Sequence, residues 1–185
     1  VERTSRVRKT RAPYRRGIGI VLFDGRGRVF VGRRSDPKNA WQLPQGGIDP
    51  GESPLAAAWR ELKEEIGTDK AEPIGQIEEW LTYDLPPRLA KRAWGGRFRG
   101  QKQKWFAFRF LGEDKDIDLG AHKREFADWK WAELDDLPNI IVAFKRALYR
   151  RLVAEFRFLS KPRSRRPVQR TRSPRSGASV RGKRL

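Results

Sequence analysis

The chain has 185 residues, no cysteine, one histidine and a formal net charge of +19. The missing thiols exclude disulfides, thiolate zinc centres and a cysteine nucleophile, and a lone His122 leaves no expectation of a Ser-His-Asp triad or a histidine metal centre. Any general base is therefore expected to be a carboxylate.

Residues 1–16 hold seven Lys or Arg against Glu2, and 160–185 hold ten with no acid, which leaves 25 basic and 22 acidic residues, a net +3, in 17–159. Residues 1–13 read as a basic arm expected to be disordered. Between 18 and 23 runs the longest apolar stretch near the N-terminus, too short for a membrane span or a secretory core, so cytoplasm is the expected compartment. A strand is predicted over 17–23, a turn at Asp24-Gly25 and a second strand over 29–33. The run from Pro44 to Glu52 has two prolines and three glycines, which fix an irregular path into a helix over 54–66. Ser53 caps that helix, Pro54 suits its first position and Gly67 ends it, while Ala56 denies it a full capping box. Further on come a strand near 77–83, a basic glycine-containing loop over 86–100, and strands over 104–111 and 126–132. Ile141, Phe144, Leu148, Leu152 and Phe156 recur at helical spacing, which predicts a helix over 139–158. Mixed strands flanked by helices imply an α/β sandwich, with one domain over 14–159. The tail 160–185 is too poor in large apolar residues to fold alone and is expected to be disordered, either attracting polyanions or serving as a solubilising tail.

At about 100° per residue, Glu61, Glu64 and Glu65 fall in one sector of the 54–66 helix, whereas Leu55, Ala58, Leu62 and Ile66 form the sector expected to face a core. Like charges so placed repel unless a cation lies among them. Carboxylate oxygens without thiolate or imidazole suit a hard divalent ion, magnesium above all. A solvated acidic face is the plain alternative, and the loop that brings Glu52 alongside argues for a site.

From Gly46 there are five residues to Glu52, seven to Arg60-Glu61-Leu62, one to Glu64-Glu65 and one to Gly67. This pattern resembles the signature of the Nudix hydrolases, with Thr68 where an aliphatic residue is usual. The resemblance implies a three-layer α/β/α sandwich with a mixed sheet and cleavage of a nucleoside diphosphate linked to another group. Trp41-Gln42-Leu43-Pro44-Gln45-Gly46-Gly47, Tyr83-Asp84-Leu85-Pro86, Gly100-Gln101-Lys102-Gln103-Lys104-Trp105-Phe106, Glu125-Phe126, Trp129-Lys130-Trp131 and Phe144-Lys145-Arg146 are similar to the bacterial RNA pyrophosphohydrolase subfamily.

That resemblance implies removal of pyrophosphate from the 5′-triphosphate end of RNA, leaving a monophosphate that opens the RNA to decay. Glu61, Glu64, Glu65 and Glu125 would hold Mg2+, or Mn2+ in its place, with Glu52 nearby and Arg60 bracing the glutamates. Either Glu65 or Glu125 would take the proton. Arg15 and Arg34 match arginines that contact phosphate or the terminal base, with Lys104 and Lys145 as further candidates. Phe144 is either a base-stacking platform or core packing. The basic arms would contact RNA backbone. The same blocks occur in hydrolases of dinucleoside polyphosphates such as diadenosine tetraphosphate, and Trp94-Gly95-Gly96 is similar to theirs. A third reading is an RNA-binding module that has lost catalysis, against which the intact glutamates count.

Overall fold

The structure is a computed structural model and describes residues 11–35 and 40–161. Both arms therefore lie largely outside the described residues.

A mixed sheet forms the centre. Strand β1 (Tyr14–Phe23) pairs in parallel with β7 (Gly100–Phe110), from Tyr14 opposite Gly100 to Phe23 opposite Arg109. The other pairings between strands are antiparallel. They join β2 (Val29–Arg34) to β1 and β8 (Phe126–Ala132), β3 (Trp41–Gln42) to β2, and β4 (Gln45–Gly47) to β1. Likewise β5 (Ala71–Gln76) and β6 (Leu81–Asp84) both pair with β7.

Side chains alternate across β1, so Ile18, Ile20 and Leu22 enter one core while Val21 and Phe23 enter the other. Helix α1 (Pro54–Ile66) covers the first core through Ala57, Ala58, Leu62 and Ile66. Helix α4 (Arg146–Phe156) covers the second with Leu148, Tyr149, Leu152, Val153 and Phe156. This is the expected α/β/α sandwich. Tyr149 also reaches the loop ahead of β4, where its hydroxyl accepts the Leu43 N–H at 2.9 Å. Among the described residues no helix is long and apolar enough to cross a membrane.

The boundaries of α1 agree with local chemistry. Ser53 Oγ accepts the Ala56 N–H at 3.2 Å, and Gly67, at φ 75°, closes the helix by donating to the Lys63 carbonyl. Leu55 departs from the expected core sector: it is 40% exposed, and Ala57 is buried in its stead. The first turn overhangs the packed face.

Four expectations need correction. The strand placed near 77–83 is formed only from Leu81, as β6, and a separate strand, β5, ends ahead of it at Gln76. Gln76 lies opposite Phe106 and Leu81 opposite Gln103, so four residues span the distance of two on β7 and Glu78-Glu79 bulge outward. The basic loop over 86–100 contains helix α2 (Pro87–Trp94), started by its proline and stopped by Gly95 at φ 61°. The strand placed at 104–111 begins at Gly100. The helix over 139–158 is broken: α3 (Leu137–Ile140) ends at Ile141, which runs extended and bridges to Trp41, before a tight turn over Ala143–Lys145 leads into α4. That break swings Phe144 and Lys145 toward the sheet.

Candidate active site

Gln45, Gly46 and Gly47 extend from β4 along β1 and bring the signature loop against α1. Gly46 sits opposite Ile18 on the α1 side of the sheet, and a Cβ there would overlap the Glu61 carboxylate. Gly46→Ala is expected to dislodge that carboxylate and to weaken divalent-cation affinity by about 10- to 100-fold, the usual effect of disturbing a ligand's support. The cation-dependent rise in Tm, titrated for wild type and variant, measures it.

Arg60 ties the loop to the helix. Its guanidinium donates to both oxygens of Glu52 at 3.0 Å, to Glu61 at 2.9 Å, to Glu64 at 3.2 Å and to the Gly47 carbonyl at 2.9 Å. Glu52 in turn accepts the Asp49 N–H at 3.0 Å, and Arg60 followed by that bond lowers its pKa. Glu52 and Arg60 thus form a brace around the loop.

Glu65 is almost wholly buried. One oxygen accepts the Gln45 N–H at 2.9 Å, while Oε1 is buried with no donor in hydrogen-bonding geometry. Burial first, then the charges of Glu125 and Glu61, raises its pKa well above the ordinary carboxylate range. Burial also raises Glu61, against the pull of Arg60 and with added repulsion from Glu64 and Glu125. Glu125, at the head of β8, is exposed and lines the same cleft.

Among the described residues no three acidic, histidine or cysteine groups are already arranged around one ion position. The donor chemistry nevertheless fits a hard divalent cation: oxygen ligands only, mutual repulsion, and an orphaned buried oxygen on Glu65. Glu61 and Glu64 would turn from Arg60, which keeps Glu52 and the Gly47 carbonyl as partners.

Beside these carboxylates opens a cleft of about 640 Å³. Arg15, Arg34, Phe144 and Lys145 all line it, together with Gly46, Gly47, Glu61, Glu64 and Glu125. Lys104 does not. Alternation along β7 puts it on the opposite face from Gln101 and Gln103, and its Nζ is held by the Glu78 carbonyl at 2.6 Å and the Glu78 carboxylate at 3.5 Å. Arg15 Nη2 lies so near Gly47 that a Cβ there would stand 2.6 Å from it.

Lys145 is buried and donates to Gln45 Oε1 at 3.0 Å. Burial and then the charge of Arg34 bring its pKa down to about 7, against an upward pull from Glu65. The same Gln45 oxygen accepts Gln103 Nε2 at 3.2 Å; Gln103 donates to Gln101 Oε1 at 2.8 Å, as does the Tyr83 hydroxyl. Tyr83 faces Phe144 across 6.1 Å between ring centres, tilted 33°. Phe144 is therefore half in the cleft wall and half against the core. In the sequence Tyr83, Gln101 and Gln103 stand only within blocks that resemble the subfamily, with no role of their own; strand register sets Tyr83 opposite Gln101 in the cleft floor, with Gln103 fully buried behind them.

Residues 13–152 match the model of the NUDIX domain. The chain is 57% identical over 143 residues to the RNA pyrophosphohydrolase of Rhodospirillum rubrum, covering 77% of this chain and 87% of that protein. It is 52% identical over 159 residues to the RNA pyrophosphohydrolase of Gluconacetobacter diazotrophicus, covering 81% and 95%. Among solved structures, the E. coli dihydroneopterin triphosphate pyrophosphohydrolase superposes with a TM-score of 0.60 at 22% identity, over 77% of this chain and 99% of that one. The C. elegans Ap4A hydrolase does so at 0.55 and 24%, over 77% and 98%. These two share the fold. With its signature helix, its loop and three quarters of its length matched, this chain belongs to the Nudix hydrolase family.

Proposed function

We propose that this protein is an RNA pyrophosphohydrolase, which removes pyrophosphate from 5′-triphosphorylated RNA and leaves a 5′-monophosphate. The observation that carries it is 57% identity over 143 residues to a relative of that name. Family membership supports divalent-cation dependence, and magnesium, with manganese substituting, is the ion we assign.

Glu61, Glu64, Glu65 and Glu125 would hold the cation, which, when bound, lowers the pKa of water and offsets charge on the phosphates. Arg15, Arg34 and Lys145 bind the polyphosphate from the cleft side, Arg and Lys serving its oxygens as forks and as a point charge. Gln45 couples the two halves, since its N–H holds Glu65 and its side chain holds Lys145. Glu65 or Glu125 takes the proton of the attacking water. The water oxygen bonds to phosphorus at the α–β anhydride, that P–O bond breaks, and monophosphorylated RNA and pyrophosphate separate. Phe144 and Tyr83 offer the first base a stacking surface.

The test is kcat/KM for 5′-triphosphorylated RNA against diadenosine tetraphosphate in one tube with magnesium. A preference for RNA is expected; a preference for the dinucleotide would reassign the enzyme to nucleotide clearance, and turnover of neither would return it to a binding module. We assign the arms, 1–13 and 160–185, to RNA backbone, with 14–159 as the catalytic unit in a cytoplasmic setting. Replacing Arg165, Arg166, Arg170 and Arg172 by Gln is expected to flatten log(kcat/KM) against log[salt] for long RNA by about 0.7 for each phosphate that is no longer neutralised.

A further inference from the structure

Strand register sets two polar rows back to back. Arg15, Gln101 and Tyr83 stand opposite one another across β1, β7 and β6 and line the cleft. In the next row Arg16 lies opposite Lys102 and Lys102 opposite Thr82. Alternation turns these three away from the cleft floor, and all are exposed.

Trp80, half-buried just ahead of β6, holds that second row together. The Arg16 guanidinium lies over its ring, 4.5 Å from the centre, and Lys102 Nζ stands 6.0 Å from it. Among the described residues neither cation is in an ion pair, and the carboxylates around them are taken. Asp84 lies 3.2 Å from Arg99, Glu78 3.5 Å from Lys104 and Glu79 3.8 Å from Arg151, while Arg60 holds Glu52 at 3.0 Å and Asp49 at 3.8 Å. A guanidinium laid on a ring keeps its N–H edge for phosphate oxygens, and the ammonium beside it adds a point charge. Thr82 supplies a hydroxyl, another usual donor to phosphate. Such a row complements a polyanion. A base would have to displace a cation to stack on Trp80, so the contact on offer is to backbone.

We infer that Arg16, Lys102 and Thr82 form a backbone track for the body of single-stranded RNA, with Trp80 as its support, an assignment that rests on the RNA substrate proposed above. Arg15 and Arg16 are consecutive, so an RNA whose 5′ phosphates meet Arg15 in the cleft reaches the track by rounding the start of β1. At that rim Tyr14 lies opposite Gly100, and Arg99 stacks on the Tyr14 ring at 4.3 Å and donates to its hydroxyl. The sequence leading into β1 carries Arg3, Arg6, Arg8, Lys9 and Arg11, so the row adjoins a basic run. A track outside the cleft acts on long substrates only.

The test measures kcat/KM for a 5′-triphosphorylated dinucleotide and for a long single-stranded 5′-triphosphorylated RNA across a salt series. It compares wild type, the double variant Arg16→Gln with Lys102→Gln, and Trp80→Leu. On the long RNA the double variant should lose activity at low salt and flatten log(kcat/KM) against log[salt] by about 1.4, which is about 0.7 for each of two phosphates no longer neutralised. The dinucleotide should be turned over as by wild type. Trp80→Leu keeps both charges without their support, and it should show a smaller loss, again on the long RNA alone. Equal losses on both RNAs would place the two cations in the cleft chemistry, and an unchanged slope on the long RNA would leave the row to an acidic protein surface; either result overturns the inference. A binding readout stands apart from turnover. If wild type hydrolyses nothing, the proposed function fails, and the affinity of the same long RNA with a 5′-hydroxyl, read by fluorescence anisotropy, still decides the track: a salt slope flattened in the double variant supports it, and equal slopes overturn it.

Discussion

Glu65→Gln is expected to lower kcat/KM for triphosphorylated RNA by about 10²- to 10⁴-fold, the range for loss of a positioned acid or base, while RNA binding is retained. The same change should stabilise the cation-free protein. Glu65 is buried beside Glu125 and Glu61, so its folded pKa lies well above its ordinary 4.5. Above pH 4.5 the unfolded chain releases that proton while the folded protein still holds it. Its contribution to stability is therefore full below pH 4.5 and is lost as pH rises through the folded value. Glutamine cannot ionise, so the variant escapes that loss. At neutral pH without cation its Tm should exceed that of wild type by about 2–4 °C for each kcal/mol relieved. Magnesium should reverse the order, because an ion among the carboxylates favours their charged form, and binding should release protons. Calorimetry in two buffers of different ionisation enthalpy measures that release. A variant as active as wild type, or one whose Tm responds equally to magnesium, would remove Glu65 from the site.

What the chain shows on its face and what it hides follow from the range of the interactions. The bounds of α1 are set by Ser53, Pro54 and Gly67, each acting within one turn, and they are legible. Helix α2 has the same kind of signals, Pro87 and Gly95, but dense charge and glycine give that stretch the appearance of a loop. The split of 71–84 into two strands and the break at Ile141 answer to partners far along the chain, β7 in one case and Trp41 in the other. No local pattern carries them. Glu61, Glu64 and Glu65 are legible because one helix fixes their spacing, whereas Glu125 comes from the head of β8 and is reached only through the resemblance. Lys104 and Gln103 show the limit: adjacent in sequence, they occupy opposite faces of β7, and partners far along the chain decide that Gln103 reaches Gln45 beneath the cleft while Lys104 is held by Glu78. Phe144 and Lys145 depend on the turn that interrupts the terminal helix, whereas helical periodicity alone runs straight through them.

Lys145→Met is expected to reduce kcat/KM by about 30- to 5,000-fold, since removing a buried partner of a charged group costs about 2–5 kcal/mol. In the substrate-free protein Lys145 is buried near Arg34 and titrates at about 7. The triphosphate supplies the anionic neighbour that Lys145 otherwise has only in Glu65, so substrate favours the protonated form. Because kcat/KM reports ionisations of the free enzyme, it should fall as pH rises through about 7 while Lys145 loses its proton. In Lys145→Met that descending limb should vanish. The stability effect runs the other way. A lysine whose folded pKa lies below its ordinary 10.5 is less protonated folded than unfolded, so the protein gains stability as pH rises from about 7 to 10.5. Methionine, apolar and of similar reach, removes the cost of burying the charge, so the variant's Tm should exceed that of wild type at about pH 6, with the gap closing toward about pH 10. Greater stability with lower activity would mark Lys145 as a residue kept for the phosphates; a fall in both would make it a structural contact of Gln45 alone.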